Sequence, residues 1–325
     1  MKIALLEPLG VPDKLIEEIS AGLVEEGHEF RAYDTVAADL SELKERSIDC
    51  DIVMIANHSY PAEVVEAASH LKMISVAFTG IDHVGENACR DKDIVICNAA
   101  GYSNQTVAEL VLGLAIDAFR NIVKADALVR DGGTNAGIGG REIAGKTVGV
   151  IGLGRIGLMT AKLFLAFGAK VIAYSRSENE EARTLGIEYK SLEKVLADSD
   201  IVSLHLPLNE NTRGFLSGER IALMKEDAVF INCARGPIVD NVALAEALNH
   251  GRLGFACVDV FDMEPPIPAD YPLLHAANTI LTPHQAFISR ESMERRARIA
   301  FENVYAYLAG APQNVCDISS SPHQS

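Results

Sequence analysis

Three short segments in the second half of the chain place charged or titratable side chains where chemistry could use them. INCARGPIVD (231–240) carries Arg235 just after an apolar run that reads as a buried strand. A guanidinium there, beside Gly236 and Pro237, is costly unless something anionic meets it. DVFDMEPP (259–266) carries Glu264 ahead of two prolines that restrict the loop. LTPHQA (281–286) carries His284 after a proline at the end of a short strand. Taken singly, Arg235 could pair with a local carboxylate and His284 could be structural. At the ends of successive strands of one sheet they combine an anion-binding fork with a group that exchanges protons near neutral pH.

A glycine signature lies upstream. Residues 152–157 read Gly-Leu-Gly-Arg-Ile-Gly, a spacing that is weak alone. Here the strand TVGVI runs straight in, and a helix with Ala161, Leu163 and Phe164 runs straight out. That context suits a pyrophosphate held on helix N-terminal N–H groups. Gly152 allows the tight turn, Gly154 lets the backbone approach the phosphates, and Gly157 lets helix pack on strand. Such a fold normally has an acidic residue at the end of the next strand to bind the ribose hydroxyls. Here that strand ends Tyr174-Ser175-Arg176, a hydroxyl followed by a guanidinium. The pair favours NADP(H), with NAD(H) as the alternative, because Arg176 suits a 2′-phosphate. Glu178, Glu180 and Glu181 follow at once and would repel that phosphate unless they point away.

The elements that must position these residues alternate along almost the whole chain. KIALLE (2–7), a helix over 12–27, FRAYD (30–34), a helix near 38–47, DIVMIA (51–56), a helix 61–70, MISVAF (73–78) and IVICN (94–98) form a first series. A long helix is expected from Gln105 to Arg130, and a loop follows it at 131–146 with five glycines before Ala144. The second series is KTVGVIG (146–152), helix 155–167, KVIAYS (170–175), helix 178–185, IEY (187–189), helix 191–197 and DIVSLHL (200–206). It continues with helix 217–224, AVFINCA (228–234), helix 241–249, GFACVDV (254–260), TILT (279–282) and a last helix from Ser289 to Leu308. Strands apolar on both faces, each followed by a helix, imply two α/β domains with doubly wound parallel sheets. The tail SSSPHQS (319–325) reads as polar and frayed.

Composition narrows the function classes. In 325 residues there are 29 Lys and Arg against 45 Asp and Glu, a net charge of −16. That balance works against nucleic acid and anionic membranes as partners. No run approaches the ~20 apolar residues of a membrane span, and the N-terminus reads as a strand and a turn rather than a signal peptide. Cys50, Cys89, Cys97, Cys233, Cys257 and Cys316 are scattered with no paired spacing. Free thiols of a reducing compartment are expected, with no metal and no disulfide, in a cytoplasmic protein.

The chain resembles the D-isomer-specific 2-hydroxyacid dehydrogenase family. The likeness rests on VAFTGIDHVG (76–85), NAAGYSNQTVAEL (98–110), VGVIGLGRIG (148–157), LHLPLNENTRG (204–214), NCARGPIVD (232–240), CVDVFDMEPP (257–266) and LTPH (281–284). It implies a Rossmann-type cofactor domain (100–286) inserted into a flavodoxin-like substrate domain (1–99 plus 287–325), with a cleft that closes on substrate. It implies an EC 1.1.1 oxidoreductase that moves a hydride between a nicotinamide dinucleotide and a 2-keto or D-2-hydroxy acid. His284 would be the general acid/base, Glu264 would hold its imidazole, and Arg235 would bind the substrate carboxylate and keto oxygen. The N–H groups of Gly80 and Ile81 would clamp the carboxylate. Along the cofactor would lie Arg155, Ile156, Thr106, Pro207 and Thr212, with Asp259 and the carbonyl of Cys233 on the carboxamide. A loop-capping aspartate is the other reading of Asp259. Asn57, His58, Tyr60, Phe78, His83 and Tyr102 are the candidates for reading the substrate side chain, and a homodimer is expected through helix 105–130. Three departures stand out: the glycine-rich loop 131–145 without a tryptophan, Ser175 in place of an acidic residue, and Gln285 after the histidine. A dinucleotide-sensing binding protein without turnover is the rival reading, and a formate dehydrogenase of related fold is more remote.

Overall fold

The computed structural model describes residues 1–319; the expected frayed tail, apart from Ser319, lies outside the described residues. The chain divides into two compact units, one of Met1–Ser103 together with Ile288 onward and one of Asn104–Phe287.

The first unit alternates β1 (Lys2–Leu5), α1 (Asp13–Glu25), β2 (Glu29–Ala32), α2 (Leu40–Ser47), β3 (Ile52–Ile55), α3 (Ala62–Ala67), β4 (Met73–Val76), α4 (Glu86–Asp91) and β5 (Val95–Asn98). Its strands are parallel, in the order β2-β1-β3-β4-β5. IVMI of β3 and MISV of β4 are buried at every position, because helices cover both faces of the sheet. Helix α4 was not expected. Its sequence, ENACRD, is short and mostly polar, and only Ala88 and Cys89 are buried, so it offers almost no apolar periodicity.

The second unit begins with α5 (Asn104–Arg120) and α6 (Ile122–Arg130). It continues through β6 (Thr147–Ile151), α7 (Arg155–Ala166), β7 (Lys170–Tyr174), α8 (Glu180–Thr184), β8 (Glu188–Tyr189), α9 (Leu192–Asp198) and β9 (Ile201–Leu204). The rest is α10 (Gly218–Ile221), β10 (Val229–Asn232), α11 (Asn241–Asn249), β11 (Phe255–Val258) and β12 (Thr279–Leu281). The parallel seven-stranded sheet runs β12-β11-β10-β9-β6-β7-β8. Helix α5 buries Val107, Val111, Leu114, Ala115, Ala118 and Phe119 in the same apolar cluster as Ala161 and Phe164 of α7. The chain then returns to the first unit as α12 (Arg290–Leu308), which opens on a Ser289–Ser292 capping box and sets Ala297, Ala300, Phe301 and Val304 into that unit's core.

The single helix expected over 105–130 is two. Asn121 takes a left-handed conformation (φ 53°), which asparagine tolerates better than most side chains, and donates to the Gly139 carbonyl at 2.7 Å. The N–H of Arg141 reaches the Phe119 carbonyl at 2.8 Å, so the glycine-rich segment docks on the end of α5 and stops it. None of the α6 residues is buried, and Ile122, Val123 and Val129 are 50, 59 and 68% exposed. Apolar periodicity runs on through a break that only the left-handed residue marks.

Candidate active site

The glycine turn is built by close approach. Gly152 has φ 95°, and a Cβ there would lie 2.7 Å from the His205 carbonyl oxygen. A Cβ on Gly157 would come within 2.1 Å of the Gly152 oxygen, whereas one on Gly154 would meet nothing within 4 Å. Two glycines therefore let turn, helix and strand touch, while the third faces open space. No side chain caps α7 and no acidic residue stands in its first turn, so its N-terminal N–H groups keep their donors and positive end for an anion. The residues present fit a dinucleotide pyrophosphate. His205 beside this turn accepts or shares a hydrogen bond with Ser203 Oγ at 2.8 Å, and burial lowers its pKa to about 4. Since the unfolded histidine titrates near 6.5, stability should be full above that pH and fall as pH drops from about 6.5 to 4. Urea midpoints of the protein and of His205→Gln across this range check it; equal acid-side slopes would show that His205 is not responsible.

At the end of β7, Tyr174 stacks on Phe215 (6.1 Å between ring centres, 28°), and Arg220 lies over the Phe215 ring at 4.4 Å. Ser175 is half-buried and Arg176 exposed. Glu178 pairs with Arg183, and Glu181 with Lys162 at 2.5 Å. Two of the three glutamates expected to repel a phosphate are thus engaged elsewhere.

Arg235, Glu264 and His284 follow β10, β11 and β12, three neighbouring parallel strands. The Arg235 turn is tied by Asn232, fully buried at the end of β10. Its side chain accepts from Ala234 N–H (2.9 Å) and donates to the Arg235 carbonyl (3.1 Å). Sequence reasoning gave Asn232 no role, since its function lies in hydrogen bonds to its own turn. Gly236 is obligatory: a Cβ would stand 1.9 Å from the Phe261 carbonyl oxygen, so the Arg235 turn rests directly on the segment leading to Glu264.

His284 sits at φ 53°, a left-handed conformation uncommon for histidine. What holds it there is Asp259, with no exposed surface. One carboxylate oxygen accepts from Thr282 Oγ1 (2.5 Å) and Gln285 N–H (3.0 Å), and the other from Ala286 N–H (2.9 Å). His284 N–H reaches the Asp259 carbonyl at 2.8 Å. Burial pushes the Asp259 carboxyl up from its ordinary range, against the pull of these donors. These bonds make Asp259 the cap of the histidine turn, the other reading of this aspartate, and Gln285 takes part through its backbone N–H. From that turn His284 Nδ1 meets both Glu264 oxygens at 2.8 Å, and its ring stands edge-on to Phe287 at 5.4 Å. The imidazole is 16% exposed and the glutamate 72%.

The remaining candidates are distributed as follows. Thr106 lies half-buried in the first turn of α5, and Cys233, also half-buried, follows β10. Thr212 Oγ1 donates to the Pro207 carbonyl at 2.7 Å, closing one turn. In the first unit, Gly80 and Ile81 follow β4, and the Ile81 carbonyl accepts from Val84 N–H. Tyr60 and Tyr102 are 0 and 1% exposed and belong to the core, whereas Asn57 and His58 are exposed. His83 Nε2 contacts the Ala56 carbonyl at 3.1 Å. One pair went unforeseen: Glu7, 4% exposed, accepts from Ala56 N–H and is joined to His58 Nδ1. A glutamate ending an apolar run carries no sign of a partner 51 residues away.

All six cysteines are free thiols, and no group of three His, Cys, Asp or Glu among the described residues is placed to hold a metal. No helix among them is long and apolar enough to cross a membrane.

Residues 112–286, which hold the glycine turn, Arg235, Glu264 and His284, match the family described as D-isomer specific 2-hydroxyacid dehydrogenase, NAD binding domain. The chain belongs to that family. It carries the family's nicotinamide-dinucleotide-binding domain and its fold, two all-parallel α/β units. A D-3-phosphoglycerate dehydrogenase from Methanocaldococcus jannaschii is 36% identical over all of this chain and 61% of its own length, so the chain spans less than two thirds of that relative. A glyoxylate reductase from Korarchaeum cryptofilum is 37% identical over 82% of each chain. Among solved structures, an acyclic imino acid reductase in complex with NADPH and D-Arg superposes with a TM-score of 0.87 at 31% identity, covering 98% of this chain and 100% of that one. D-lactate dehydrogenase from Aquifex aeolicus, complexed with NAD and lactic acid, gives 0.83 at 27% identity over 96% of each.

Proposed function

We propose that the chain catalyses reversible reduction of a 2-keto acid to a D-2-hydroxy acid, with His284 as acid/base, Glu264 as its partner and Arg235 as the substrate's anion fork. The observation that carries this reading is the bond of His284 Nδ1 to Glu264, with Arg235 on a neighbouring strand end of the same sheet. The unit of residues 104–287 would hold the dinucleotide, through the glycine turn and α7, with Arg155 and Ile156 along the pyrophosphate. Thr106, Pro207, Thr212 and the Cys233 carbonyl would line the rest. Bound dinucleotide supplies or accepts the hydride at the substrate's second carbon. With Nδ1 committed to Glu264, Nε2 is the nitrogen that passes a proton to the keto oxygen, or takes it from the hydroxyl in reverse. The carboxylate stabilises the imidazolium, and Arg235 pairs with the substrate carboxylate while polarising the carbonyl. Gly80 and Ile81, after β4, would offer their N–H groups to a carboxylate. The exposed Ile122, Val123 and Val129 of α6 support a homodimer, and the six free thiols support a reducing, cytoplasmic setting.

The test follows absorbance at 340 nm with NADPH or NADH against glyoxylate, hydroxypyruvate, pyruvate, phenylpyruvate and 2-ketoisocaproate. Oxidation with any of them supports the reading. Tight binding of both dinucleotides with no turnover on the whole panel would favour the sensor. For the cofactor, Arg176 is exposed and in no ion pair among the described residues, and Glu178 and Glu181 are engaged by Arg183 and Lys162. NADP(H) is therefore the preferred partner. Arg176→Ala should raise KM for NADPH about tenfold, the worth of one charge-assisted hydrogen bond, and leave KM for NADH alone. Equal effects on both would refute the preference.

A further inference from the structure

Met263 and Glu264 are exposed, and the last anchored residues before them are Phe261 and Asp262. Phe261 stands edge-on to Tyr271 (5.8 Å, 87°), and the Tyr271 hydroxyl donates to Asp262 Oδ2 at 2.8 Å. Burial, with Asp262 alongside, pushes that hydroxyl's pKa up, so it remains a donor. Asp262 Oδ1 accepts from Asn241 Nδ2 at 2.9 Å, and the same amide nitrogen reaches the Gly236 carbonyl at 3.3 Å. Asn241 and Tyr271 are both buried, at 4 and 7% exposure. The two oxygens of an otherwise surface aspartate are thus gripped by two buried side chains, one of which also holds the residue after Arg235. Across the same gap the Gly236 and Phe261 backbones touch.

We infer that Asp262 is a positioning residue: bracketed by Tyr271 and Asn241, it places Glu264 against His284 Nδ1. Resting on the proton-transfer reading above, this assigns to Asp262 no contact with substrate or dinucleotide. Its effect passes through Glu264, which stands on a solvent-facing segment beyond Met263 and takes its orientation from the bracket.

A mutant cycle tests this. Glu264→Gln, Asp262→Ala and the double variant are assayed for kcat and for the Michaelis constants of the keto acid and the dinucleotide. Asp262→Ala should lower kcat about tenfold, as loss of an orienting partner does, with KM for the dinucleotide unchanged. Added to Glu264→Gln it should cause no further loss, because its action needs the Glu264 carboxylate. Losses that multiply, or an Asp262→Ala enzyme with normal kcat, overturn the proposal while the proton-transfer reading stands. A normal kcat in Glu264→Gln overturns that reading and this proposal with it. If Asp262→Ala does not fold, Tyr271→Phe removes one hydroxyl from the bracket and enters the same cycle. Its loss should likewise vanish in the Glu264→Gln background, and persistence there counts against Asp262.

Discussion

His284→Gln is expected to lower kcat for 2-keto-acid reduction about a thousandfold while dinucleotide affinity stays near that of the unaltered protein. Glutamine can offer a hydrogen bond to the keto oxygen but has no proton to give at neutral pH, and general acid catalysis contributes about 10² to 10⁴ in rate. The backbone adds a complication, because position 284 lies at φ 53°. Glutamine is strained there, whereas asparagine is among the residues found most readily in that region. His284→Asn is the matched variant: it removes the imidazole while suiting the turn that Asp259 holds through Thr282, Gln285 and Ala286. Both variants should be slow, and His284→Asn should melt at the higher temperature. Steady-state assays at 340 nm and fluorescence titration with NADPH read the two quantities. A kcat within tenfold of normal in His284→Asn would remove His284 from the chemistry.

Gly157→Ala is expected to abolish dinucleotide binding at ordinary concentrations. The added methyl would lie 2.1 Å from the Gly152 oxygen and 3.3 Å from a Val150 methyl. Both neighbours belong to the β6 strand and its turn, and a backbone oxygen cannot rotate aside as a flexible side chain does. Helix α7 must therefore move off β6, and its N-terminal N–H groups move with it, away from the pyrophosphate they would hold. A Kd at least about 100-fold weaker, or ~2.7 kcal/mol, should be measured by titration, with a lower Tm from the opened contact. Gly154→Ala is the contrasting variant: open space surrounds its Cβ position, so the fold should keep its Tm. Its affinity should fall only through crowding of the ligand. If Gly157→Ala bound NADPH normally, the turn would not be the phosphate site.

Much of the fold and site was legible in the chain because it is local. The strands of both sheets, the glycine turn and the Ser289 start of α12 all rest on signals within a few residues: β-branched runs, positions where only glycine fits, a serine cap. Order along the chain likewise placed Arg235, Glu264 and His284 after successive strands. The break at Asn121 was hidden, since its cause is the docking of Gly139 and Arg141 on the end of α5, from the far side of the glycine-rich segment. Helix α4 was hidden because ENACRD has too few apolar residues to show a period.

The sequence by itself determined the two alternating α/β series, the glycine turn between β6 and α7, and which three charged or titratable side chains follow β10, β11 and β12. Residue types and spacing carry that information directly. Only the tertiary structure decided how those groups are held. Asp259 caps the histidine turn, Asn232 ties the arginine turn, and Asn241 with Tyr271 grips Asp262, each by hydrogen bonds that side chains make to their own or neighbouring loops. An aspartate or asparagine has the same letters whether it caps its own loop or reaches another. Which it does depends on the distances that packing β10, β11 and β12 side by side brings about.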